Sequence, residues 1–492
     1  MVKALWREIP GIIAILIIVG LASELAVLAG EQEHKTKWAP HVQLVLDATK
    51  PLQLDRGGRL PLYLWHAMNP GLLDPELAQE LVEQLNVRGI GLVASWNPKN
   101  RERSLEESLR ISRAQNKLGL RVNINATRCL YSFFDGDPRT AHVDDEGRPF
   151  WDTSFGKEKM GCPFAIDFRR PAIHEQLEYF IRGFKEAELD VDFIFADWEI
   201  DGPIEFNEAH ATSKRCRRCR QNIQNIDEFG EFQKALRKLR CQLQRDVYAE
   251  PVKRSFPDVL VGNYGVYPHN GHRYWYDYYE YYVDGQPFKG DQRAKYRKWY
   301  DEFPKTGYTF AMPVVYPWAR IFDWYDYDDT DYRWFYNMLL VAGNAGQNTP
   351  ADVPVISFVH WHTIEPKEAS GTATQFSEAR YQELLWHALL RGTDTFFLWC
   401  RAEEAAKESR LVHEVYAAAQ QYGSFLSEGI PINFDVPRQP GTVISGLELD
   451  GRVLVRRTDF GQSTPGAVPI TVGDRSIEVL PASGRCQIIS LR

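Results

Sequence analysis

Two acidic residues, Asp197 and Glu199, follow an apolar run that begins at Phe193. Residues two apart on a β-strand point to the same side, so both carboxyl groups are expected to emerge together where the strand ends. Two carboxyl groups this close resist ionising together, and one should keep its proton near neutral pH. Such a proton can be given to a leaving-group oxygen, which is the general-acid step of glycoside hydrolysis. The alternative is that the two acids form helix caps or ion pairs in the following loop.

The elements that would position these acids are visible as short apolar or aromatic runs separated by longer helical patterns. The runs predict strands at residues 62–65, 91–96, 121–125, 193–197, 259–264, 308–315, 354–360 and 395–399. The helical patterns cover residues 75–86, 105–118, 172–189, 231–248, 332–342 and 377–390. Continuous apolar strands alternating with helices predict an α/β fold, a (β/α)8 TIM barrel, whose active sites lie at the carboxyl ends of the strands. An open, doubly wound sheet is the alternative.

After about residue 429 the pattern changes, because glycine and proline punctuate short apolar runs at 453–456, 470–472, 477–480 and 486–491. This spacing predicts a small C-terminal antiparallel β domain. We therefore expect a catalytic barrel over residues 31–429 and a β domain over residues 430–492. A structural cap on the barrel is favoured for the β domain over an independent binding module.

The first thirty residues have the pattern of a signal peptide. Lys3 and Arg7 precede an uninterrupted small and apolar run at residues 11–22, and Val27 and Ala29 then offer small residues for cleavage. A positive start, a short apolar stretch and a small-residue exit are typical of secretory signals. The run is too short to span about 30 Å of hydrocarbon comfortably. We expect residues 1–30 to be a signal peptide and the protein to be secreted or periplasmic, with an uncleaved membrane anchor as the alternative.

The amino-acid composition limits the classes of molecule that the protein is expected to bind. The chain has 58 basic and 66 acidic residues, a formal charge of −8 and no long basic run, which argues against a dedicated nucleic-acid binder. It also holds 14 Trp, 23 Tyr and 26 Phe, and flat aromatic faces suit both a core and a cleft that stacks on sugar rings. The predicted partner is a carbohydrate, with no nucleic acid and no stable membrane partner beyond the export signal. The oligomeric state is not predicted.

The motif Asp197-Trp198-Glu199 after an apolar strand resembles the Asp-x-Glu signature of hyaluronidases (glycoside hydrolase family 56) and, more loosely, that of chitinases. The resemblance continues in order, in short islands between about residues 60 and 425. Residues 263–268 resemble the tyrosine-rich fifth strand of hyaluronidases, and Tyr316-Pro317 resembles the sixth. Residues 354–359 resemble the seventh strand and residues 392–399, which end in Trp399, the eighth.

The resemblance implies substrate-assisted, retaining hydrolysis of a β-linked 2-acetamido sugar. Glu199 would match the general acid and base, and Asp197 would orient the acetamido group as its carbonyl oxygen attacks the anomeric carbon. Tyr316 would donate a hydrogen bond to the same group. Trp399 would form an apolar floor under the sugar ring. These three catalytic residues and this floor are carried over from the family, and physical reasoning agrees that a held nucleophile removes an entropic barrier.

Other residues at predicted strand ends are candidates for sugar binding. Gly265 takes the place of one tyrosine of the family, which leaves Tyr264 or Tyr267 as substitutes. The remaining candidates are Trp65, Trp361 and His362. Two alternatives stay open for the reaction. In one, Glu365 or Asp197 is a protein nucleophile acting on a sugar without an acetamido group. In the other, the chain is an inactive barrel lectin.

Seven cysteines raise the question of a metal site. Cys216 and Cys219 form a Cys-x-x-Cys pair that could supply half a zinc site, with Cys241 and His210 as candidates to complete it. No second such pair exists in the sequence, so free thiols or a local disulfide are favoured. We therefore predict no metal and no cofactor.

Overall fold

Eight parallel strands form the central sheet in the computed structural model of the chain. The structure describes residues 37–65, 74–130, 136–153, 159–198, 209–269, 302–317, 329–363, 375–461, 466–482 and 484–491. The strands are β1 (Leu62–Trp65), β2 (Ile90–Ser95), β3 (Asn123–Asn125), β4 (Phe193–Ala196), β5 (Leu260–Asn263), β6 (Val314–Val315), β7 (Ile356–Val359) and β8 (Thr395–Trp399). All eight predicted strands are therefore confirmed, with β1 and β8 at the predicted residues.

The sheet order is β5-β4-β3-β2-β1-β8-β7-β6, and each neighbouring pair is parallel. Backbone hydrogen bonds bring the two outer strands together: Thr309 donates to the Val261 carbonyl at 2.8 Å, and Met312 donates to the Val266 carbonyl at 3.1 Å. Gly262 permits this approach, because a Cβ there would lie 2.6 Å from the Phe310 ring. The ring of strands confirms the (β/α)8 barrel and excludes the open doubly wound sheet.

Helices follow the strands around the outside of the barrel. Their bounds are α1 (Pro40–Ala48), α2 (Pro75–Asn86), α3 (Arg101–Lys117), α4 (Thr127–Leu130), α5 (Ile166–Glu186), α6 (Ala209–Arg215), α7 (Arg217–Asn222), α8 (Phe229–Gln244), α9 (Glu250–Ser255), α10 (Thr330–Asn348), α11 (Glu378–Leu389), α12 (Ala405–Ala419) and α13 (Gly423–Glu428). The start of α2 illustrates how local sequence determines where a helix begins. Asp74 accepts hydrogen bonds from the Glu76 and Leu77 amides, and Pro75 is the first helical residue.

Aromatic side chains fill the interior of the barrel. Tyr63 stacks on Phe193 with ring centroids 4.2 Å apart, and Phe195 lies 4.5 Å from Phe397. Phe397 in turn stacks on Phe358 at 5.6 Å. These residues are buried, so the barrel is a packed core and not a pore. A ligand must therefore bind above this layer, at the carboxyl ends of the strands.

Antiparallel strands follow the barrel, as the glycine and proline pattern predicts. A four-stranded sheet contains β9 (Ile430–Pro431), β10 (Thr442–Leu449), β11 (Arg452–Asp459) and β14 (Cys486–Ser490), and a separate hairpin contains β12 (Val468–Val472) and β13 (Arg475–Val479). The sheet is fastened to α11, because the two ring nitrogens of His387 lie 2.8 Å from Ser445 Oγ and 2.9 Å from Thr458 Oγ1. These contacts fit a structural cap, and the exact domain boundaries stay a prediction.

Within the described ranges, no helix combines the length and the apolar character needed to cross a membrane. The predicted signal peptide lies in residues 1–36, outside the described ranges, and stays a prediction.

Candidate active site at the barrel mouth

The carboxyl ends of the strands bring most of the predicted site residues to one rim. Going around the barrel, these residues are Asp197 after β4, Tyr264 after β5, Tyr316 after β6, Trp399 at the end of β8 and Trp65 at the end of β1, and His360, which was not among the predicted residues, follows β7. The strand register places neighbours side by side, since Ala196 pairs with Asn263 and Trp65 pairs with Trp399. Residues separated by more than 300 positions in sequence therefore meet, as parallel strands in a barrel require.

Asp197 is the acid of the predicted pair that the structure describes. Its side chain retains partial exposure, but its Oδ1 atom is enclosed and has no hydrogen-bond partner among the described residues. Enclosure away from water disfavours the charged carboxylate and raises the pKa of Asp197 from 3.8 to about 7. A carboxyl group with this pKa is present in both protonation states near neutral pH, which suits it to acid–base or charge-stabilising chemistry.

Residues at the end of β3, the strand next to β4, fix the backbone of Asp197. The Asp197 amide donates to Thr127 Oγ1 at 2.8 Å, and the Thr127 hydroxyl donates to Asn125 Oδ1 at 2.6 Å. Asn125 is the last residue of β3, so two adjacent strands share this connection. Hydrogen bonds from the end of β3 therefore position the first residue after β4.

Asn263, the last residue of β5, holds the next residue of the motif. The Trp198 amide donates to Asn263 Oδ1 at 2.8 Å, and Asn263 Nδ2 donates to the Trp198 carbonyl at 3.0 Å. Asn263 is fully buried. A two-point clamp of this kind fixes the backbone direction immediately before Glu199, which itself lies outside the described residues.

Two tyrosines share a hydrogen bond at the rim. The hydroxyl groups of Tyr264 and Tyr316 lie 2.9 Å apart, and one donates to the other. Both rings pack on Phe358 from the layer below, with centroid distances of 5.0 and 6.0 Å. Because Tyr264 directly follows the strand beside Asp197, the pair lies along the same side of the rim as the acid. Phenol hydroxyls at this place can donate hydrogen bonds to a bound polar ligand.

An aromatic platform lies next to the tyrosine pair. Trp399 stacks on Tyr316 with centroids 6.2 Å apart and contacts the His360 ring at 4.7 Å. Trp399 and Trp65 retain partial exposure, whereas Phe195, Phe358 and Phe397 beneath them are buried. Two indoles that are accessible above a buried layer can supply the apolar face of a sugar-binding site.

His360 lies against a buried glutamate, Glu408. Its Nδ1 lies 3.1 Å from Glu408 Oε1, and both side chains are almost completely buried. The Glu408 carboxylate also accepts hydrogen bonds from the amides of Trp361 at 2.8 Å and His362 at 2.9 Å. Glu408 on α12 therefore shapes the chain after β7 and fixes the imidazole next to Trp399.

We expect Glu408→Gln to lower the free energy of unfolding by about 2–4 kcal/mol, because a neutral amide replaces a buried carboxylate that accepts from two backbone amides, and its NH2 group cannot accept. Urea-induced unfolding measures this change. Glu414→Gln on the same helix is the matched control, since Glu414 is half-exposed and should change stability by less than about 0.5 kcal/mol. Equal effects of the two substitutions would contradict the role given to Glu408.

Three other predicted sugar-binding residues have partners outside the tyrosine pair and the platform. Tyr267 is buried and packs on His269 with centroids 5.2 Å apart. Trp361 donates from Nε1 to the Phe376 carbonyl at 2.8 Å, and Lys407 lies over its ring. His362 is exposed, with its Nδ1 3.7 Å from Glu404. The structure therefore groups Trp65, Tyr264, Tyr316 and Trp399 with Asp197, whereas Glu365, like Glu199, lies outside the described residues.

Among the residues that the structure describes, two groups of side chains have the atoms to hold a metal ion. His360, Glu404 and Glu408 form one group at the rim, although both Glu408 oxygens already accept backbone hydrogen bonds. The other contains Cys216 and Cys219, but the residues predicted to complete it are wrong. His210 lies 2.7 Å from the Ile226 carbonyl and Cys241 contacts the Glu302 carbonyl, whereas the structure adds His142 and Cys162.

No protein-family model matches the chain, and none of the curated proteins matches it. Solved structures with some similarity include an α-galactosidase of Geobacillus stearothermophilus (10% identity, TM-score 0.44, 91% of this chain and 57% of that chain). A β-galactosidase from G. stearothermophilus has 11% identity and a TM-score of 0.44, over 77% of this chain and 58% of that chain. Bee venom hyaluronidase has 12% identity and a TM-score of 0.34, over 68% of this chain and 99% of that chain.

The chain thus spans a little over half the length of the two galactosidases. Identities and TM-scores this low carry no argument about substrate or activity. The hyaluronidase resemblance in the sequence stays a prediction, and the functional proposal rests on the geometry of the rim.

Proposed function

We propose that this protein is a glycoside hydrolase that acts on an oligo- or polysaccharide, with Glu199 and Asp197 as its acidic pair. The observation that carries this proposal is the enclosed Asp197 carboxyl group at the carboxyl end of β4, with its pKa raised to about 7. It lies on one rim with the Tyr264–Tyr316 hydroxyl pair and the partly exposed side chains of Trp65 and Trp399. An acid of this kind beside hydroxyl donors and an apolar platform fits the bond-cleaving end of a sugar site.

For a β-linked 2-acetamido sugar the proposed steps are as follows. Glu199 gives its proton to the glycosidic oxygen while the acetamido carbonyl oxygen bonds to the anomeric carbon and the bond to the leaving group breaks. Asp197 and Tyr316 hold the acetamido group during this attack. Water then attacks the anomeric carbon, Glu199 takes a proton from that water, and the bond to the acetamido oxygen breaks. Two inversions leave the configuration of the product unchanged.

The enclosure of Asp197 favours this route over one in which Asp197 is the nucleophile. A carboxyl group with a pKa of about 7 is largely protonated below neutral pH, and a neutral carboxyl is a poor nucleophile. When a positively charged intermediate forms beside it, ionisation becomes favourable, and the enclosed position strengthens the attraction between the two charges. Asp197 would therefore stabilise a positively charged oxazolinium intermediate more than it stabilises the ground-state substrate.

The proposal is tested by turnover. Wild-type protein is incubated with chito-oligosaccharides, hyaluronan fragments and a set of galactosides and glucosides, and released reducing ends are analysed by mass spectrometry and by NMR for anomeric configuration. We expect hydrolysis of an acetamido substrate with retention, together with inhibition by a thiazoline analogue of the intermediate. Trapping of a covalent glycosyl-enzyme by a 2-fluoro sugar would instead establish a protein nucleophile. Sugar binding without turnover on any substrate would identify a lectin.

The location of the reaction is a further part of the proposal. The charged start and short apolar run of residues 1–30 support export, so that the substrate would be met outside the cytoplasm. Amino-terminal sequencing of protein recovered from the medium or periplasm checks this expectation.

A further inference from the structure

Three cysteines and one histidine converge in the interior beside the barrel mouth. The ligand atoms of His142, Cys162, Cys216 and Cys219 all lie within 4.8 Å of one another. Cys162 Sγ lies 3.4 Å from Cys219 Sγ and 3.8 Å from Cys216 Sγ, and Cys219 Sγ lies 3.9 Å from His142 Nδ1. All four side chains have an exposed fraction of 0%. Four soft donor atoms are thus gathered out of contact with water.

These separations fit the edges of a tetrahedron around one metal ion. Zinc–sulfur bonds of about 2.3 Å and zinc–nitrogen bonds of about 2.0 Å in tetrahedral geometry place ligand atoms roughly 3.5–3.8 Å apart. A disulfide between any two of the sulfurs would require a separation of about 2.05 Å and would leave the third thiol and the imidazole buried without a partner. A metal ion satisfies all four groups at once, whereas a disulfide satisfies two.

The surrounding chain holds each ligand in a fixed place. His142 lies on a short hairpin, His142–Val143 paired with Pro149–Phe150, and the Phe150 ring stacks on its imidazole at 5.2 Å. The Cys162 amide donates to the Thr140 carbonyl at 2.7 Å. Gly161 allows this contact, because a Cβ there would lie 2.4 Å from that oxygen.

The other two ligands come from the Cys-x-x-Cys segment. Cys216 immediately precedes α7 and Cys219 lies in its first turn, so a short spacing directs both sulfurs to one point. The Arg220 amide donates to the Cys216 carbonyl at 3.0 Å and the Ile223 amide donates to the Cys219 carbonyl at 2.9 Å, so α7 fixes the backbone of both residues.

Charge around the cluster also suits bound thiolates. A Zn²⁺ ion with three thiolates and one neutral imidazole carries a net charge of about −1. Arg218 reaches back to the Ala141 carbonyl at 3.1 Å, and the Arg215 guanidinium lies over the Phe150 ring that packs on His142. These two cations are attached to the same small substructure as the ligands, and they offset the negative charge of the complex.

We propose that His142, Cys162, Cys216 and Cys219 bind one Zn²⁺ ion in a closed, structural site. The ion would join the β3–α5 connection, which supplies His142 and Cys162, to the β4–α8 connection, which supplies Cys216 and Cys219. Asp197 is the first residue of the second connection, and its amide donates to Thr127 in the first. With four protein ligands no coordination position remains for water, so the ion stabilises the walls of the mouth and takes no part in bond cleavage.

The proposal is tested by metal analysis of full-length protein exposed to ZnCl2 under reducing conditions and then gel-filtered. We expect about one zinc per chain by inductively coupled plasma mass spectrometry. Replacement of zinc by Co²⁺ should give a thiolate-to-cobalt charge-transfer band and the visible bands of tetrahedral cobalt. Chelation should lower Tm by roughly 5–10 °C, because a ligand bound only to the folded state stabilises it.

Cys162→Ser and Cys219→Ser should each reduce zinc occupancy at least about tenfold. Cys241→Ser is the matched control, because Cys241 lies outside the cluster and its substitution should leave occupancy unchanged. If the ligand variants fail to fold, alkylation of the wild-type protein decides: three thiols should be protected with zinc and react after chelation. The proposal would be overturned if the wild-type protein bound no zinc. It would also be overturned if protein purified without reductant and then exposed to ZnCl2 contained a disulfide within the cluster.

Discussion

Glu199→Gln is expected to reduce kcat/KM by about 10²–10⁴-fold on a glycoside with a poor leaving group, the usual value of general-acid catalysis. The clamp of Asn263 on Trp198 fixes the backbone immediately before Glu199, and glutamine keeps the shape of the side chain but has no proton to give. The loss should shrink as the leaving group becomes more acidic, because an activated phenolate departs without protonation. Steady-state kinetics on a series of aryl glycosides measures both effects.

The control and the contradicting result follow from the same series. Glu186→Gln changes an exposed glutamate at the end of α5, on the face of the barrel opposite the mouth, and should leave kcat/KM unaltered. If the Glu199→Gln loss is the same for every leaving group, Glu199 does not act as the general acid. If there is no loss at all, the acid is another residue and the assignment from the Asp-x-Glu resemblance is wrong.

Much of the barrel could be predicted because its strands carry local signals. The strands at Leu62–Trp65 and Thr395–Trp399 end where the apolar run ends, and the structure agrees with both bounds. The sixth strand is much shorter than the predicted span of 308–315, since only Val314–Val315 and a bridge at Ala311 join the sheet. Pro313 explains the interruption, because proline has no amide hydrogen to donate to the ladder.

Some residues of the rim could be predicted, because the carboxyl ends of parallel strands meet there. The rule that strand ends meet at one face of a barrel placed Asp197, whereas Tyr316 and Trp399 were carried over from the hyaluronidase resemblance and then lie at strand ends of the same face. Tyr267 shows the limit of that rule. It lies three residues beyond Tyr264, and the turn between them takes its side chain into the interior, where it packs on His269. This contact is visible only in the folded chain.

Groups assembled by tertiary contact alone could not be predicted. Glu408 is 48 residues from His360 in sequence and lies on a helix whose pattern gives no sign that one glutamate faces inward. The Cys-x-x-Cys segment was visible, but its partners are 54 to 77 residues away and are selected by how two connections pack. His210 and Cys241 were the candidates that the sequence offered to complete a site, and the structure instead brings His142 and Cys162 to the pair.

Asp197→Asn is expected to make the protein more stable and less active. Enclosure raises the pKa of Asp197 from 3.8 to about 7, so between these pH values the folded protein holds a proton that the unfolded chain has lost. The stability of the wild type therefore falls as pH rises through this window, and asparagine, which does not ionise, removes that cost. We expect Asp197→Asn to raise the free energy of unfolding by up to about 4 kcal/mol at pH 8 and to change it little at pH 4.

Activity should move in the opposite direction, with kcat/KM lower by about 10²–10³-fold, because asparagine cannot supply the negative charge that stabilises a cationic intermediate. Urea unfolding at both pH values and steady-state kinetics measure the two effects. Asp192→Asn is the matched control at the other end of β4, where Asp192 accepts a hydrogen bond from the Val122 amide at 2.8 Å. It should lower stability by about 1 kcal/mol at pH 8 and leave activity intact. A stability change for Asp197→Asn that is the same at pH 4 and pH 8 would show that the carboxyl group ionises normally, and the enclosed acid on which the proposed chemistry depends would then not exist.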